Sequence, residues 1–436
     1  MTQQKFPPNE GQAKAIEDFF KFMLDPYAKR HILSGPGGVG KTFTMGEMID
    51  TVIPRYMEMC QLLGLPIEYD NVVMTATTNK AVEALSKATG RPAKTIQSFL
   101  CLRPKENYQT GEMDLIRTPG WMEHDRLVIF IDECSMIDRN LFDEIEAATA
   151  RCKVVYVGDH VQLPPVKETL SKIYSQKYGM SELTQPMRTD VPELQALNEQ
   201  FRQVVLTGVH TDIKIVPGII DWMGEDEAMD EIDRAFTNGN REDRILCYSN
   251  PQVMAINDYI RSLRQLPAEF VVGETLVSNS AYQNSKKKDA PRISIEDELV
   301  VLEAGSIVQS ELYEDDIAIE FRDYVMETPY GERINVPQPV DRDYFNQCLA
   351  YYKGKKNWRV FYKLKETYPD LRQRDAATVH KSQGSSYTTS YVDLGNISTC
   401  HLPGMAARLM YVAFSRARKR VVLFGDLHPK FGKLIF

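Results

Sequence analysis

Gly35-Pro36-Gly37-Gly38-Val39-Gly40-Lys41-Thr42, entered from His31-Ile32-Leu33-Ser34, is the stretch that decides the fold class of this chain. It is a complete G-x-x-x-x-G-K-T loop lying between a short apolar strand and a helix. Glycines let backbone N–H groups approach phosphate oxygens, and the N-terminus of the following helix adds partial positive charge. Lys41 is placed to reach the β and γ phosphates of ATP, and Thr42 to hold magnesium through its hydroxyl. A chance glycine turn is the alternative, and the strand and helix on either side of the loop weigh against it.

Working outward, residues 10–24 set Ile16, Phe19, Phe20 and Met23 at helical spacing ahead of the loop. Apolar strands are expected at 72–74, 127–131 and 154–157, with helices at 79–87 and 140–150 between them. That alternation predicts βαβ units and a parallel sheet covered on both faces. Strand 127–131 delivers Asp132-Glu133 at its carboxyl end, where a phosphate loop needs a metal-holding acid. Asp132 is assigned to the magnesium shell and Glu133 to polarising the attacking water. The third strand ends in Gly158-Asp159-His160-Val161-Gln162-Leu163-Pro164-Pro165. Either Gln162 hydrogen-bonds the γ-phosphate and reports its loss, or this is a proline-terminated loop at the sheet edge.

A second α/β series follows, with strands at 244–248, 390–392 and 420–424 and helices at 251–263 and 403–414. It is interrupted over 269–373 by short alternating strands (298–301, 318–321, 333–336) and tyrosine-rich helical stretches near 344–352 and 358–368. A smaller interruption, 103–120, carries hairpin turn chemistry at Gln109-Thr110-Gly111. Lys286-Lys287-Lys288 is expected to be a solvated loop.

The 436 residues, 43% apolar and 26% charged, describe an ordinary globular chain and exclude a disordered one. At ~150 residues per domain, about three units are expected. A net charge of -8 gives no sign of a nucleic-acid binder, although a charged groove needs only local Lys and Arg. The seven scattered cysteines contain no C-x-x-C pair, so neither a zinc site nor a disulfide framework is expected. The N-terminal residues lack a signal pattern and no apolar run spans a bilayer, so a soluble protein of the cytoplasm is expected.

GDHVQLPPV (158–166), TVHKSQGSSY (378–387) and YVAFSRARKR (411–420) resemble the third, fifth and sixth motifs of the superfamily-one helicases of the RecD and Dda type. The resemblance extends over nearly the whole chain, including FVVGE near Phe270 and Asn357-Trp358. It implies a motor moving 5'-to-3' on single-stranded DNA. It assigns Gln12 to adenine reading, and Arg188 and Arg416 to gripping the γ-phosphate from the second domain. Thr78, Asn79 and Lys80, then Thr95, Ser98 and Phe99, and finally Thr378, His380 and Lys381 are implied as DNA contacts. Phe99 is either a stacking face or a core residue. The family often has Pro-Thr where this chain has Thr77-Thr78. The 103–120 hairpin corresponds to a strand-separating pin, with Tyr108 at its tip.

The expected fold is α/β, with two RecA-like P-loop NTPase domains. The first covers 1–185 with the 103–120 hairpin inserted, and the second covers 186–268 and 374–436. A small, mostly β, SH3-like domain, 269–373, is inserted in the second. The expected function is an ATP- and magnesium-dependent DNA helicase of replication, recombination or repair, acting as a monomer on single-stranded and tailed duplex DNA. Single-strand-binding or replication proteins are its expected partners, and a phage-infected bacterium one setting. The rival is a P-loop ATPase that remodels protein or RNA.

Overall fold

The computed structural model describes residues 7–165, 170–185, 187, 189–284 and 290–436. They form two compact units. One comprises Met1–Arg103, Leu115–Trp222 and Ser382–Phe436, the other Pro104–Asp114 and Met223–Lys381.

The first unit is built on a six-stranded sheet in the order Ala93–Thr95, Asn71–Ala76, Asp125–Asp132, Arg151–Gly158, Arg30–Ser34, Gly179–Glu182, with every neighbouring pair parallel. Successive strand side chains point to opposite faces. Val128 and Phe130 therefore enter one core with Phe19, Met48, Val155 and Val157, while Ile129 and Ile131 enter another with Leu141, Ile145, Val154 and Tyr156. Burial on both faces is why these strands read as continuous apolar runs. Each such side chain contributes roughly 1.5–3 kcal/mol of transfer free energy. The edge strand Gly179–Glu182 buries only Ser181 of its four residues and so carried no apolar signal.

Helix Glu10–Leu24 begins in a reciprocal cap between Asn9 and Gln12. Its far end is closed by the buried Lys153, whose Nζ donates to the carbonyls of Phe22, Asp25 and Ala28. The helix after the phosphate loop runs as Lys41–Glu47, a π-helical turn Met48–Val52, and Ile53–Leu62. This unit also contains the parallel strand pair Tyr387–Asp393 and Ala417–Phe424, and the helices Pro192–Thr207 and Pro403–Phe414. Those helices meet where Phe201 and Phe414 pack edge to face at 4.8 Å.

The second unit contains the parallel pair Arg244–Cys247 and Ala376–Thr378 beside helix Asn250–Leu263. It also contains a five-stranded antiparallel sheet in the order Arg333–Pro339, Glu320–Glu327, Glu298–Gln309, Thr275–Ser278, Leu371–Gln373. Leu276, Leu299, Val301, Tyr324 and Met326 form the core of that sheet. Helices Arg342–Gly354 and Trp358–Thr367 close a separate core around Tyr352, Leu364 and Tyr368. The strand expected at 298–301 runs on to Gln309; residues 303–309 are exposed and their ladder is broken by register shifts, so the continuation carries no alternating pattern. The strand expected at 318–321 begins at Glu320. The segments expected to form the second α/β domain are shared between the units: 186–222 and 382–436 lie in the first, 223–268 and 374–381 in the second.

Among the described residues no helix is long and apolar enough to cross a membrane, and all seven cysteines are free.

One buried histidine gives the first unit a pH dependence. His31 lies on the strand feeding the phosphate loop, and its Nε2 is 3.1 Å from Ser181 Oγ. Ser181 in turn donates to Asp18 at 3.2 Å, which leaves His31 as the donor of a neutral Nε2–H tautomer. Burial, opposed by the Asp18 carboxylate, lowers its pKa from 6.5 to about 4. Between these values the unfolded chain binds a proton that the folded chain does not, so stability falls as pH drops through that window. The full loss, reached below pH 4, is about 3 kcal/mol. Urea unfolding at pH 7 and pH 4 checks this: His31→Gln is expected to flatten the dependence, and an unchanged slope would rule the histidine out as its source.

Candidate nucleotide and nucleic-acid site

The loop leaves strand Arg30–Ser34 at Gly35, whose N–H donates to Gly158 O at 3.0 Å. Any side chain at Gly35 would meet the Leu183 carbonyl 2.5 Å away. Gly40 has φ +82, and a Cβ there would lie 2.5 Å from Gln12 Nε2. Glycine is thus required at both ends of the loop. Lys41 Nζ donates to the carbonyls of Gly35 (2.7 Å) and Pro36 (2.9 Å), curling the side chain over the loop. Gly37, Gly38 and Val39 complete the cradle, and Thr42 is the second residue of the helix.

Gln12 lies against this cradle with 2% exposure. Its Oε1 accepts from Asn9 N–H (3.0 Å) and its Nε2 donates to Val39 O (3.2 Å). The amide therefore already joins the helix start to the loop, and an adenine edge would compete for these groups.

Asp132 ends its strand, and Oδ1 accepts the Glu133 N–H at 2.9 Å. Burial first, then the Glu133 carboxylate, pushes the Asp132 carboxyl well above its ordinary value, with Lys41 opposing. Two crowded acids suit a hard divalent cation that also takes oxygens from substrate phosphates. Among the described residues there is no cluster of three or more His, Cys, Asp or Glu able to hold a metal by itself. Glu133 is in the left-handed region, φ 54, a costly conformation for a side chain that tends to mark functional sites.

Thr77 supports that strained backbone. Its N–H donates to Asp132 O at 3.3 Å and its hydroxyl to Glu133 O at 3.2 Å. A proline at this position would supply neither bond. Sequence reasoning noted Thr77 only as a departure from the family pattern. The bonds now link the acidic pair to Thr78, which caps helix Asn79–Thr89 by accepting from Ala81 N–H, and to the exposed Asn79 and Lys80.

The loop after strand Arg151–Gly158 is tied to the phosphate loop through His160 Nδ1, 3.1 Å from Ser34 Oγ. Gln162 is nearly buried, and its Oε1 accepts from Gln383 Nε2 at 3.4 Å. Arg416 has 1% exposure and donates to Val412 O, Ser415 Oγ and Ser385 O. Burial lowers its pKa, and the Glu133 carboxylate is the strongest influence resisting that change. Lys41, Thr42, Asp132, Glu133, Gln162 and Arg416 thus all belong to one unit. Arg188 lies outside the described residues, as do Lys286, Lys287 and Lys288.

Of the remaining nucleic-acid candidates, Thr95 caps the short turn Ile96–Phe99 by accepting from Ser98 N–H, and Ser98 is exposed. Phe99 is a core residue: it is 9% exposed, and the His124 ring stacks on it at 4.4 Å. A base would have to displace that imidazole, so the stacking-face reading is corrected in favour of the core. Thr378, His380 and Lys381 lie in the second unit. Thr378 Oγ1 accepts from Lys381 N–H at 3.4 Å, and Lys381 Nζ is 3.3 Å from Glu296. Burial lowers the pKa of His380 and of Lys381, with Glu296 opposing the latter.

The hairpin is formed by Leu102–Glu106 and Met113–Arg117. Asn107 Oδ1 accepts from the N–H groups of Gln109 and Thr110, and Gly111 turns the chain at φ 73. Gly111 O accepts from Tyr362 OH at 2.7 Å, and a Cβ at Gly111 would fall inside the Trp358 ring. The tip is therefore docked on helix Trp358–Thr367, with Tyr108 exposed and its ring 6.3 Å from that of Tyr362. Gly120 closes the segment against Cys101.

The description "AAA domain" matches residues 7–208, and "UvrD-like helicase C-terminal domain" matches residues 375–424. The chain is 25% identical to the ATP-dependent DNA helicase dda of Enterobacteria phage T4, over 94% of this chain and 97% of that one. It is 24% identical to the ATP-dependent RecD2 DNA helicase of Deinococcus radiodurans, over 91% of this chain and 47% of the relative. A Pif1 helicase from Bacteroides, solved with ADP-AlF3 and single-stranded DNA, matches in fold with a TM-score of 0.51 at 14% identity, covering 98% of this chain and 94% of that one. The fold is accordingly α/β with two RecA-like domains. With the phosphate loop, the acidic pair and the three long motifs in the expected order, the chain is similar along nearly its whole length to the superfamily-one helicases of the Dda and RecD type.

Proposed function

We propose that this chain is an ATP-dependent DNA helicase that moves 5'-to-3' on single-stranded DNA and unwinds duplexes carrying a 5' tail. The observation that carries the reading is the grouping of Lys41, the Asp132-Glu133 pair and Arg416 in one unit, with Thr77 joining the acidic pair to the loop of Thr78, Asn79 and Lys80. Thr42 and Asp132 would hold magnesium, which would neutralise phosphate charge, and Glu133 would accept the proton of the attacking water. Arg416, with Arg188, neutralises charge on the transferring phosphoryl group. Gln162 senses the γ-phosphate and Gln12 orients the adenine. Loss of the γ-phosphate changes what the loops carrying these groups can hold, and the backbone grips on DNA shift with them.

Thr78, Asn79, Lys80, Thr95, Ser98, Thr378, His380 and Lys381 make that grip through phosphates, so binding weakens with salt and shows little sequence preference. The RecA-like domains are 1–185 and 186–268 with 374–436, and 269–373 is the SH3-like insertion. The protein acts as a monomer inside the cell, in replication, recombination or repair, alongside single-strand-binding proteins.

Unwinding of duplexes with 5' tails, 3' tails or blunt ends, together with ATPase rates with and without single-stranded DNA, tests the reading. Efficient unwinding from the 3' tail would refute the direction. An ATPase indifferent to DNA but stimulated by RNA or a protein would favour a remodelling function. The docked hairpin adds a prediction: Trp358→Ala frees the tip and lowers unwinding about tenfold, while DNA-stimulated ATPase stays within about twofold of wild type. Equal losses of both activities would mean that the tip supports the motor and does not separate strands.

A further inference from the structure

The loop carrying Gln162 is held from a side that none of the motif assignments uses. Arg408, half-buried on helix Pro403–Phe414, donates from a single guanidinium nitrogen to the carbonyl oxygens of both His160 and Gln162, at 2.7 Å each. One turn further along the same face, Tyr411 OH donates to Asp159 Oδ2 at 2.8 Å. Asp159 is fully buried, and its Oδ1 accepts from Arg202 Nη1 (2.9 Å) and from Val161 N–H (3.0 Å). Burial alone would raise Asp159, but Arg202, and then Lys41, hold its carboxyl below the ordinary range. Every residue from 159 to 162 therefore has a fixed backbone or side-chain anchor, and His160 carries the connection on to Ser34 at the base of the phosphate loop.

The helix making these contacts ends one residue before Ser415-Arg416. Arg416 turns back onto that same helix, through Val412 O at 3.1 Å. At 1.5 Å per residue, Arg408 and the last helical residue, Phe414, are separated by about 9 Å of helical backbone, and Arg416 follows two residues later. A shift of the helix therefore displaces the backbone of Gln162 and the side chain of Arg416 together. Surface packing does not explain the arrangement, because an arginine that only covered apolar area would not place one nitrogen between two carbonyls on either side of Val161.

We propose that Arg408 is a positioning residue for ATP hydrolysis, clamping the Gln162 loop to the helix that leads into Arg416 so that both groups meet the γ-phosphate as one body. The inference rests on the reading of this site as an ATP-hydrolysing motor.

The test uses the full chain with saturating poly(dT), reading kcat and KM for ATP, the affinity for a fluorescent ADP analogue, and Tm. Arg408→Met is expected to lower kcat by about tenfold to a hundredfold while ADP affinity stays within about threefold. Arg408→Lys is expected to recover most of the rate, since one ammonium can also donate to two carbonyls. In a Gln162→Ala background, Arg408→Met should cost less than about twofold more, because the group it positions is already gone. Should Arg408→Met melt too early to assay, Arg408→Gln, which keeps a polar side chain at this half-buried position, carries the same expectation. A kcat within about twofold of wild type in Arg408→Met, equal impairment of the Met and Lys variants with matching losses of Tm, or fully multiplicative losses with Gln162→Ala would each overturn the proposal. A wild-type chain without ATPase would refute the motor itself, whereas an active wild type with an unimpaired Arg408→Met refutes the clamp alone.

Discussion

Replacing Lys41 with alanine is expected to reduce ATP turnover by about 10³-fold or more while leaving the fold in place. Lys41 Nζ now rests on the carbonyls of Gly35 and Pro36, the two residues that open the phosphate loop. A nucleotide's phosphates would draw the ammonium away from those neutral acceptors, exchanging two ion–dipole contacts for a stronger ion pair. The ammonium has a second effect. It is the leading charge opposing the upward shift of Asp132 and contributes to holding Asp159 ionised, so its removal makes both carboxyls harder to ionise. Magnesium affinity then falls together with transition-state stabilisation, and kcat and nucleotide binding are both expected to suffer. Stability should change little, because the side chain is only half-buried and serves no apolar core. Steady-state ATPase and a thermal melt check both halves, and turnover close to wild type would sink the assignment of the loop.

Glu133→Gln is expected to separate binding from chemistry. Glutamine keeps the shape and can hold the same left-handed backbone, and the Thr77 bond to residue 133 goes to its carbonyl, which the substitution does not touch. What disappears is a carboxylate that can accept a proton from water, a contribution of about 10²–10⁴ in rate. Neutralising Glu133 also removes the charge that, after burial, does most to raise Asp132. Asp132 then ionises more readily, so ATP with magnesium is expected to bind at least as tightly as to the wild type. The variant should accumulate as an ATP complex that does not turn over, seen as retained nucleotide in a filter-binding or single-turnover measurement. Undiminished hydrolysis would remove Glu133 as the base, and loss of ATP binding would show that its charge is needed in the ground state.

The two variants also frame the role of Arg416. Its guanidinium is buried, with the Glu133 carboxylate as the strongest favourable charge acting on it. In Glu133→Gln that support is lost, and the γ-phosphate would take over as the main anion near Arg416. In Lys41→Ala the phosphate itself is poorly held, and Arg416 has less to act on. The two losses therefore arise through different charges, although both end in slow hydrolysis.

What the amino-acid sequence determined by itself was everything expressed as local pattern. The glycine spacing from Gly35 to Gly40, the apolar strand ending in Asp132-Glu133 and the order of the long motifs announced the phosphate engine, because each depends on residues within one strand–loop–helix unit. The parallel sheet was legible for the same reason: strands buried on both faces leave an unbroken apolar run. Two of the missed elements, the edge strand Gly179–Glu182 and the exposed continuation of Glu298–Gln309, have little burial and leave no periodic trace. Only the tertiary structure decided which distant residues meet. Phe99 became core because His124 stacks on it, and the hairpin tip was docked because Trp358 and Tyr362 stand against Gly111. Arg408, Tyr411 and Arg202 converged on the loop from Asp159 to Gln162 across tens to hundreds of residues of chain. Spacing in sequence carries no information about such pairings, because they are set by how the helices pack on the sheet and by the need of buried charges and carbonyls for partners.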